Sequence, residues 1–475
     1  MGYLTEHSIL PSAVPLRSNL RMHKTSLCLL AALWFAASVP AQNQPAAAPA
    51  PEFKKLAGPM NLKAGDTVVF LGDSITHQCL YTQYVEDYFY TRYPNKRLRF
   101  HNAGVGGDRA SSALARFDDD VASFKPKYVT ILLGMNDGSY RDFDKAVFDT
   151  YQQDMTKLLD QLAAIGATAM PMTPTMHDAR AARLRGKGAE PRDTYYNGVL
   201  ALYGAWLREQ SQVRGLGFVD MWSPLNSLTL QERKKDANFT LIKDAVHPDA
   251  PGQVVMATAV INDICPKTSV SSLTIAPGKD GKLTATGGNG KVTDFAADGD
   301  RITFTFTANA LPWVLPPDAA EGYKLTAAGH RYSGEIFSVR GLQPGNYELK
   351  IDGQSVGTWS EHTLGFKVEL QANDKTPQYQ QALKVALLNK EKNDTATRPL
   401  RNLWGQLKGK RSQLAQAASK QDPGLDAKKA DFDKWFTGDF KTGVAKLNAA
   451  VDEFDARIYD AAKPLPRKYE LVRSK

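Results

Sequence analysis

The chain has 475 residues, too many for one hydrophobic core, so two or three domains are expected. Hydrophobic residues make up 43% and charged residues 23%, which excludes a disordered or fibrous chain and leaves an ordinary globular one. The net charge of +9 is spread out with no dense basic block, which argues against nucleic-acid binding and leaves at most an affinity for acidic glycans.

Near the N-terminus, "MHKTSLCLLAALWFAASVPAQ" reads as a secretory signal. Lys24 supplies the charged start, Leu27 to Ala37 a short apolar run, and Val39-Pro40-Ala41 a small-residue cleavage site. The run is too short to cross a bilayer. Translation is expected to begin at Met22, because the charged region would otherwise be unusually long. Residues 1–41 are therefore expected to be a cleaved signal peptide, with the mature protein secreted or periplasmic. Its loss removes Arg17, Arg21 and Lys24 against Glu6, leaving about +7. Cys28 lies too early in the run for lipid attachment. Residues 42–59, beginning "QNQPAAAPAPE", are a Pro/Ala linker. No later segment reads as membrane-spanning.

From 60 to 266 strands and helices alternate. Strands are expected at Thr67–Leu71, Leu98–Ala103, Tyr128–Leu133, Ala167–Met172 and Gly217–Met221. A helical stripe runs through Phe143, Val147, Tyr151, Met155, Leu158 and Leu162, and another includes Tyr196, Leu200, Tyr203 and Leu207. This alternation predicts a flavodoxin-like three-layer α/β/α sandwich around a five-stranded parallel sheet. The two cysteines of the mature chain belong to this region. Cys79 is expected one turn into the helix after "GDSIT", and Cys265 at the end of the helix starting near Gly252. At 1.5 Å per residue their heights would differ by roughly 10 Å, beyond the roughly 7 Å limit for bridging, so no disulfide is expected.

From 267 to 370 the texture changes to period-2 strands. "RITFTFTA" alternates Ile302, Phe304 and Phe306 with threonines, and "NYELKIDG" alternates Tyr347, Leu349 and Ile351. A small antiparallel β-sandwich-like module is expected. Residues 371–475 turn helical. Thr376 is a cap, Pro377 a first helical residue, and Tyr379, Leu383 and Leu387 an apolar stripe. A last helix carries Leu447, Val451, Phe454 and Ile458. These helices are expected to pack on the catalytic region, because the β module is too small to anchor them.

Chemistry concentrates at the C-terminal ends of the parallel strands, where open α/β sheets collect ligands. Ser74, in "VVFLGDSITHQ", follows the first strand. A hydroxyl needs a base to become a nucleophile, and "LIKDAVHPDAPGQ" offers His247 with Asp244 three residues before it. A carboxylate there fixes the imidazole tautomer and leaves Nε2 for the serine. Oxyanion donors are expected from the Ser74 N–H, the Gly107 N–H in "FHNAGVGGDRA" and the Asn136 amide in "ILLGMNDG". Each motif alone is an ordinary turn. Their joint occurrence at one sheet edge is not.

Together "GDSIT", "NAGVGGD", "GMND" and "DAVHP" resemble the four signature blocks of the SGNH hydrolases, or GDSL-type esterases and lipases. The resemblance covers about 60–266 and falls on Ser74, Gly107, Asn136 and His247, with Asp244 matching the usual acid. It implies ester hydrolysis through an acyl-serine, with no cofactor and no metal. The first block reads GDSI rather than GDSL, an apolar exchange.

Other polar and aromatic residues are expected to serve structure. Asp73 and Asp137 are expected to bond backbone N–H groups, Arg109 to pair with nearby acids, and His77 and His101 to serve local structure. His177 lies at the active edge, with a pocket role weighed below a structural one. Trp313 and Trp359 are expected in packing rather than on sugar rings. The basic stretch "NKEKNDTATRPLRNLWGQLKGKR" is expected to be a solvated helical face. The function expected is an exported serine esterase acting on short acyl, mainly acetyl, esters of a polysaccharide or a small ester. The alternatives are a lipolytic or general carboxylesterase, a glycan-binding protein with an inert hydrolase domain, and an acyltransferase using the same residues.

Overall fold

The structure is a computed structural model that describes residues 52–184 and 191–474. The expected signal peptide and most of the linker lie outside the described residues. Four strands, β1 (Thr67–Gly72), β2 (Arg99–Gly104), β3 (Tyr128–Leu132) and β4 (Thr168–Pro171), form a parallel sheet in the order β2-β1-β3-β4. The expected fifth strand shrinks to a single bridge between Met172 and Val219. The Thr173 hydroxyl accepts the N–H groups of Met221 and Trp222, so the backbone turns into a helix after one rung.

Both faces of this sheet are covered, and β3 is buried along its whole length. Helices α1 (Ser74–His77) and α2 (Leu80–Arg92) follow β1. Cys79 is not inside a helix. It joins α1 to α2 with a positive φ of 60°, and both Cys79 and Cys265 are free, buried thiols. Helices α3 (Lys145–Ala164) and α4 (Pro191–Arg214) meet through stacked Tyr151 and Tyr203, 4.6 Å apart. Helix α5 (Ala250–Ile264) packs against α2.

Two further sheets form a sandwich. One holds 283–288, 271–277, 335–339 and 368–369; the other holds 290–298, 301–308, 346–351, 354–360 and 467–473. The predicted alternation holds in detail, with Ile302, Phe304, Phe306, Tyr347, Leu349 and Ile351 all in the sandwich core. The region expected to be helical to its end instead returns: Arg467–Arg473 pairs with both 346–351 and 301–308. Trp313 leaves the sandwich altogether. It is fully buried in the core of the parallel-sheet region and its indole donates to the Tyr84 carbonyl at 2.9 Å. Trp359 packs half-buried against the sandwich core.

The C-terminal helices are α6 (Pro377–Lys392), α7 (Arg398–Ser419), α8 (Leu425–Trp435) and α9 (Lys441–Ala461). Thr376 caps α6 as expected, and Tyr379 and Leu383 of the predicted stripe are half-buried beside Leu311 and Val314, but Leu387 is exposed. The face carrying Ala382, Val385, Ala386, Asn389 and Lys392 is the buried one, and α6 packs on α2. That seam is polar. Asn389 donates to Asp87 at 2.8 Å, and Lys392, 1% exposed, lies between Glu86 (3.0 Å) and Asp455 (3.1 Å). The basic stretch is therefore solvated only in part, because Lys392, Arg401 and Lys408 find carboxylates on the sheet region and on α9.

Candidate active site

The site forms where α1 leaves β1. Asp73 caps α1 by accepting the Ile75 N–H at 2.9 Å. Gly104, at the end of β2, lets α1 sit against the strand: a Cβ there would lie 2.3 Å from the His77 nitrogen. Ser74 thus starts a helix pressed on the strand ends.

His247 reaches it from the loop before α5. Its Nε2 lies 2.8 Å from Ser74 Oγ, and its Nδ1 lies 2.6 Å from Asp244 Oδ2. The carboxylate assigns the ring proton to Nδ1, leaving Nε2 to accept from the serine hydroxyl. Asp244 also accepts the backbone N–H groups of Val246 and His247. Burial raises its pKa, but these bonds to His247 and Val246 outweigh that and hold it below the usual carboxylate range. The His247 and Asp244 side chains are 33% and 43% exposed, so this face of the pair opens to solvent. The loop is braced from behind by the Asp178 N–H on the Ala245 carbonyl, and Asp178 itself is held by Arg233 and Thr240.

Asn136 joins the other two blocks. Its Nδ2 donates to the Asp108 carbonyl at 3.0 Å and to Asp73 Oδ2 at 3.3 Å, so it lies between the residue before Ser74 and the residue after Gly107. Gly107 has a φ of +68°, which glycine adopts without strain, and it is exposed. Asp137 accepts the N–H groups of Ala110 and Gly134, fixing one loop on the other. Burial pushes Asp73 up to about 7, partly offset by the Ile75 N–H and reinforced by Asp137 and Asp108; burial likewise raises Asp137 to about 6.

The structure brings together Ser74, His247, Asp244, Asn136 and the Gly107 loop. Arg109 bonds the Ser139 hydroxyl at 3.3 Å, and its charge acts on the Asp137 carboxylate without a direct ion pair among the described residues. His177 is buried with its ring edge-on to Tyr140 and Tyr196, and its backbone N–H donates to Asn197. Tyr140 was not singled out by sequence, yet its hydroxyl donates to Asn136 Oδ1 at 3.1 Å. Its place four residues after Asn136 was the available signal. Asn402 and Lys408 carried no such signal, and both reach the site from α7: Asn402 Oδ1 lies 2.9 Å from His77 Nε2, and Lys408 Nζ lies 2.9 Å from the Gly106 carbonyl.

Residues 70–255 match the sequence profile of the GDSL-like Lipase/Acylhydrolase family. The chain carries a GDSL-like lipase/acylhydrolase domain. The GDSL-type region is 25% identical over 228 residues to an acetylxylan esterase of Geobacillus stearothermophilus, a match spanning 43% of this chain and 96% of the relative. A solved gut microbial diltiazem-metabolizing enzyme is similar over 88% of this chain and 100% of its own, with 26% identity and a TM-score of 0.73. That likeness runs well past the GDSL-type domain, into the sandwich and the C-terminal helices. The chain is accordingly a serine ester hydrolase. Among the described residues, no helix is long and apolar enough to cross a membrane.

Proposed function

We propose that this protein is an exported serine esterase that removes short acyl groups, acetyl above all, from a polysaccharide. The observation that carries the reading is the relay from Asp244 through His247 to Ser74, with links of 2.6 and 2.8 Å. In this reading, Ser74 Oγ adds to the ester carbonyl while His247 Nε2 takes its proton. Asp244 holds the ring in the Nδ1–H tautomer and stabilises the imidazolium. The developing oxyanion is received by the Ser74 N–H, the Gly107 N–H and Asn136 Nδ2. The longer bond of Asn136, to Asp73, is the one an oxyanion would take over. His247 then gives its proton to the departing alkoxide, and the ester C–O bond breaks. Water attacks the acyl-serine with His247 as base, releasing the acid and restoring Ser74.

The open flank of the relay suits an acyl group presented on a polymer, and the acetylxylan esterase relative favours acetyl on xylan. The domain plan that goes with this is a hydrolase region over 60–266, an accessory β-sandwich and a helical C-terminal region. A second reading, a small-molecule ester as substrate, is favoured by the likeness to the diltiazem-metabolizing enzyme over most of the chain.

The test is acetate release by the mature protein and by Ser74→Ala, from acetylated xylan and from aryl esters of increasing chain length. Serine-dependent acetate release from xylan is expected. Serine-dependent turnover of aryl esters alone supports the small-ester reading. Equal rates for the two proteins on every substrate would remove Ser74 from its role.

A further inference from the structure

The loop bearing Gly107 is held by a helix that begins some 290 residues later in the chain. Lys408 on α7 places its ammonium 2.9 Å from the Gly106 carbonyl oxygen and 2.9 Å from Asp108 Oδ1, so it straddles Gly107. The Gly106 carbonyl and the Gly107 N–H belong to one peptide plane, and in a trans peptide they point in opposite directions. A cation fixed on that oxygen therefore sets the direction of the N–H. It also draws electron density toward the oxygen, which makes the N–H a stronger donor. Two consecutive glycines are otherwise the sequence most free to rotate this plane.

The same helix holds the preceding group. The Gly106 N–H donates to His77 Nδ1 at 3.3 Å, and His77 Nε2 lies 2.9 Å from Asn402 Oδ1. Since Nδ1 accepts, Nε2 carries the proton and donates to Asn402. Behind the loop, Asp108 Oδ2 binds Arg116 at 2.8 Å, Arg116 binds Asp120 at 2.6 Å, and Asp120 takes both terminal nitrogens of Arg401 at 2.8 and 3.0 Å. Both carboxylate oxygens of Asp108 are thus paired with cations, and its carbonyl is the group on which Asn136 rests.

We propose that Lys408 is a positioning residue for the oxyanion donor Gly107, which makes the C-terminal helical region part of the catalytic apparatus rather than an appendage. The proposal rests on the reading of Gly107 as an oxyanion donor. Lys408 is over one-third exposed at the rim, and the buried Asp108 keeps its ion pair with Arg116 when Lys408 is removed.

The experiment compares the full-length mature protein with Ser74→Ala, Lys408→Met and Lys408→Arg on 4-nitrophenyl acetate, measuring kcat, KM and Tm. Lys408→Met is expected to lower kcat by about tenfold or more, less than outright loss of a donor, with KM within about twofold and Tm within about 2 °C. Lys408→Arg, which keeps a cation there, is expected to recover most of the rate. A kcat within about twofold of the parent for Lys408→Met overturns the proposal. So does a rise in KM alone, which makes Lys408 a substrate contact, or a Tm loss that tracks the rate loss. If Ser74→Ala retains the parent rate, the reading of the site has failed, and that outcome is distinct from an active-serine enzyme indifferent to Lys408.

Discussion

The two halves of the proposed active site, nucleophile and oxyanion, are built by opposite means. The nucleophile half consists of side chains, Ser74, His247 and Asp244, held by their own loops and open to solvent. The oxyanion half consists largely of backbone, and is held by a charged seam running through Arg116, Asp120 and Arg401 to the C-terminal helices. Arg401 and Asp120 are both fully buried there. The difference separates chemistry from support. The nucleophile half is expected to accept substitution of its half-exposed His247 and Asp244 without loss of fold, whereas the seam holds buried charges that cannot lose a partner cheaply.

The sharpest test of the first half is Asp244→Asn. An amide retains much of the shape but no longer stabilises the imidazolium and favours the wrong tautomer, so kcat is expected to fall on the order of 10⁴-fold. Because the side chain is 43% exposed, Tm should move little. Steady-state kinetics beside thermal denaturation checks both. A Tm loss comparable to that of a core variant would erase the contrast between the halves.

Arg401→Met probes the seam and inverts that pattern. Breaking a buried ion pair by removing one partner costs about 3–5 kcal/mol, because the other charge stays buried. Asp120 keeps Arg116 and His101, which places this loss toward the lower end. Denaturant unfolding should show the loss, with kcat falling less than in Asp244→Asn. A fully stable Arg401→Met would mean that solvent reaches Asp120 readily.

These halves were unequally legible in the sequence. Ser74, Asn136, His247 and the alternating strands stood out because reactive residue types follow apolar runs with turn glycines between them. The period-2 strands around Phe304 and Leu349 were equally clear. The seam was not, since Lys392 and Arg401 have the residue types of a wet helical surface, and only their carboxylate partners on distant elements make them interior. The missed face of α6 has the same cause: Asn389 and Lys392 are buried by hydrogen bonding, which hydropathy does not register. The last strand, Arg467–Arg473, carries four charged residues among its seven and pairs across more than 100 residues of chain.

Asn136→Ala tests the join between the halves, because Asn136 lies on Asp73 from one and on Asp108 from the other. Loss of an oxyanion donor lowers kcat by about 10²–10³. The effect should fall in kcat with KM nearly constant, since the bond is made in the transition state. A loss confined to KM would assign Asn136 to ground-state binding.

The smallest effect separates two buried carboxylates by pH. Asp120 faces burial that would raise its pKa, but Arg401, His101 and Arg116 overcome it and drive it well below the usual range. Its contribution to stability is present above the ordinary Asp pKa and is lost only as pH falls below it. Glu335, where the sandwich meets α6, has the Gln378 amide at 2.7 Å, and burial raises its pKa from 4.5 to about 7. Between these values the folded state holds a proton that the unfolded state has released, so stability falls as pH rises from about 4.5 through 7. Glu335→Gln keeps the shape and cannot ionise. The variant should therefore gain on the parent by up to about 3 kcal/mol between pH 4 and pH 8, read from unfolding across that range. A gap that stays constant with pH would mean that Glu335 is charged in the fold, and that this seam is paired like the one at Arg401.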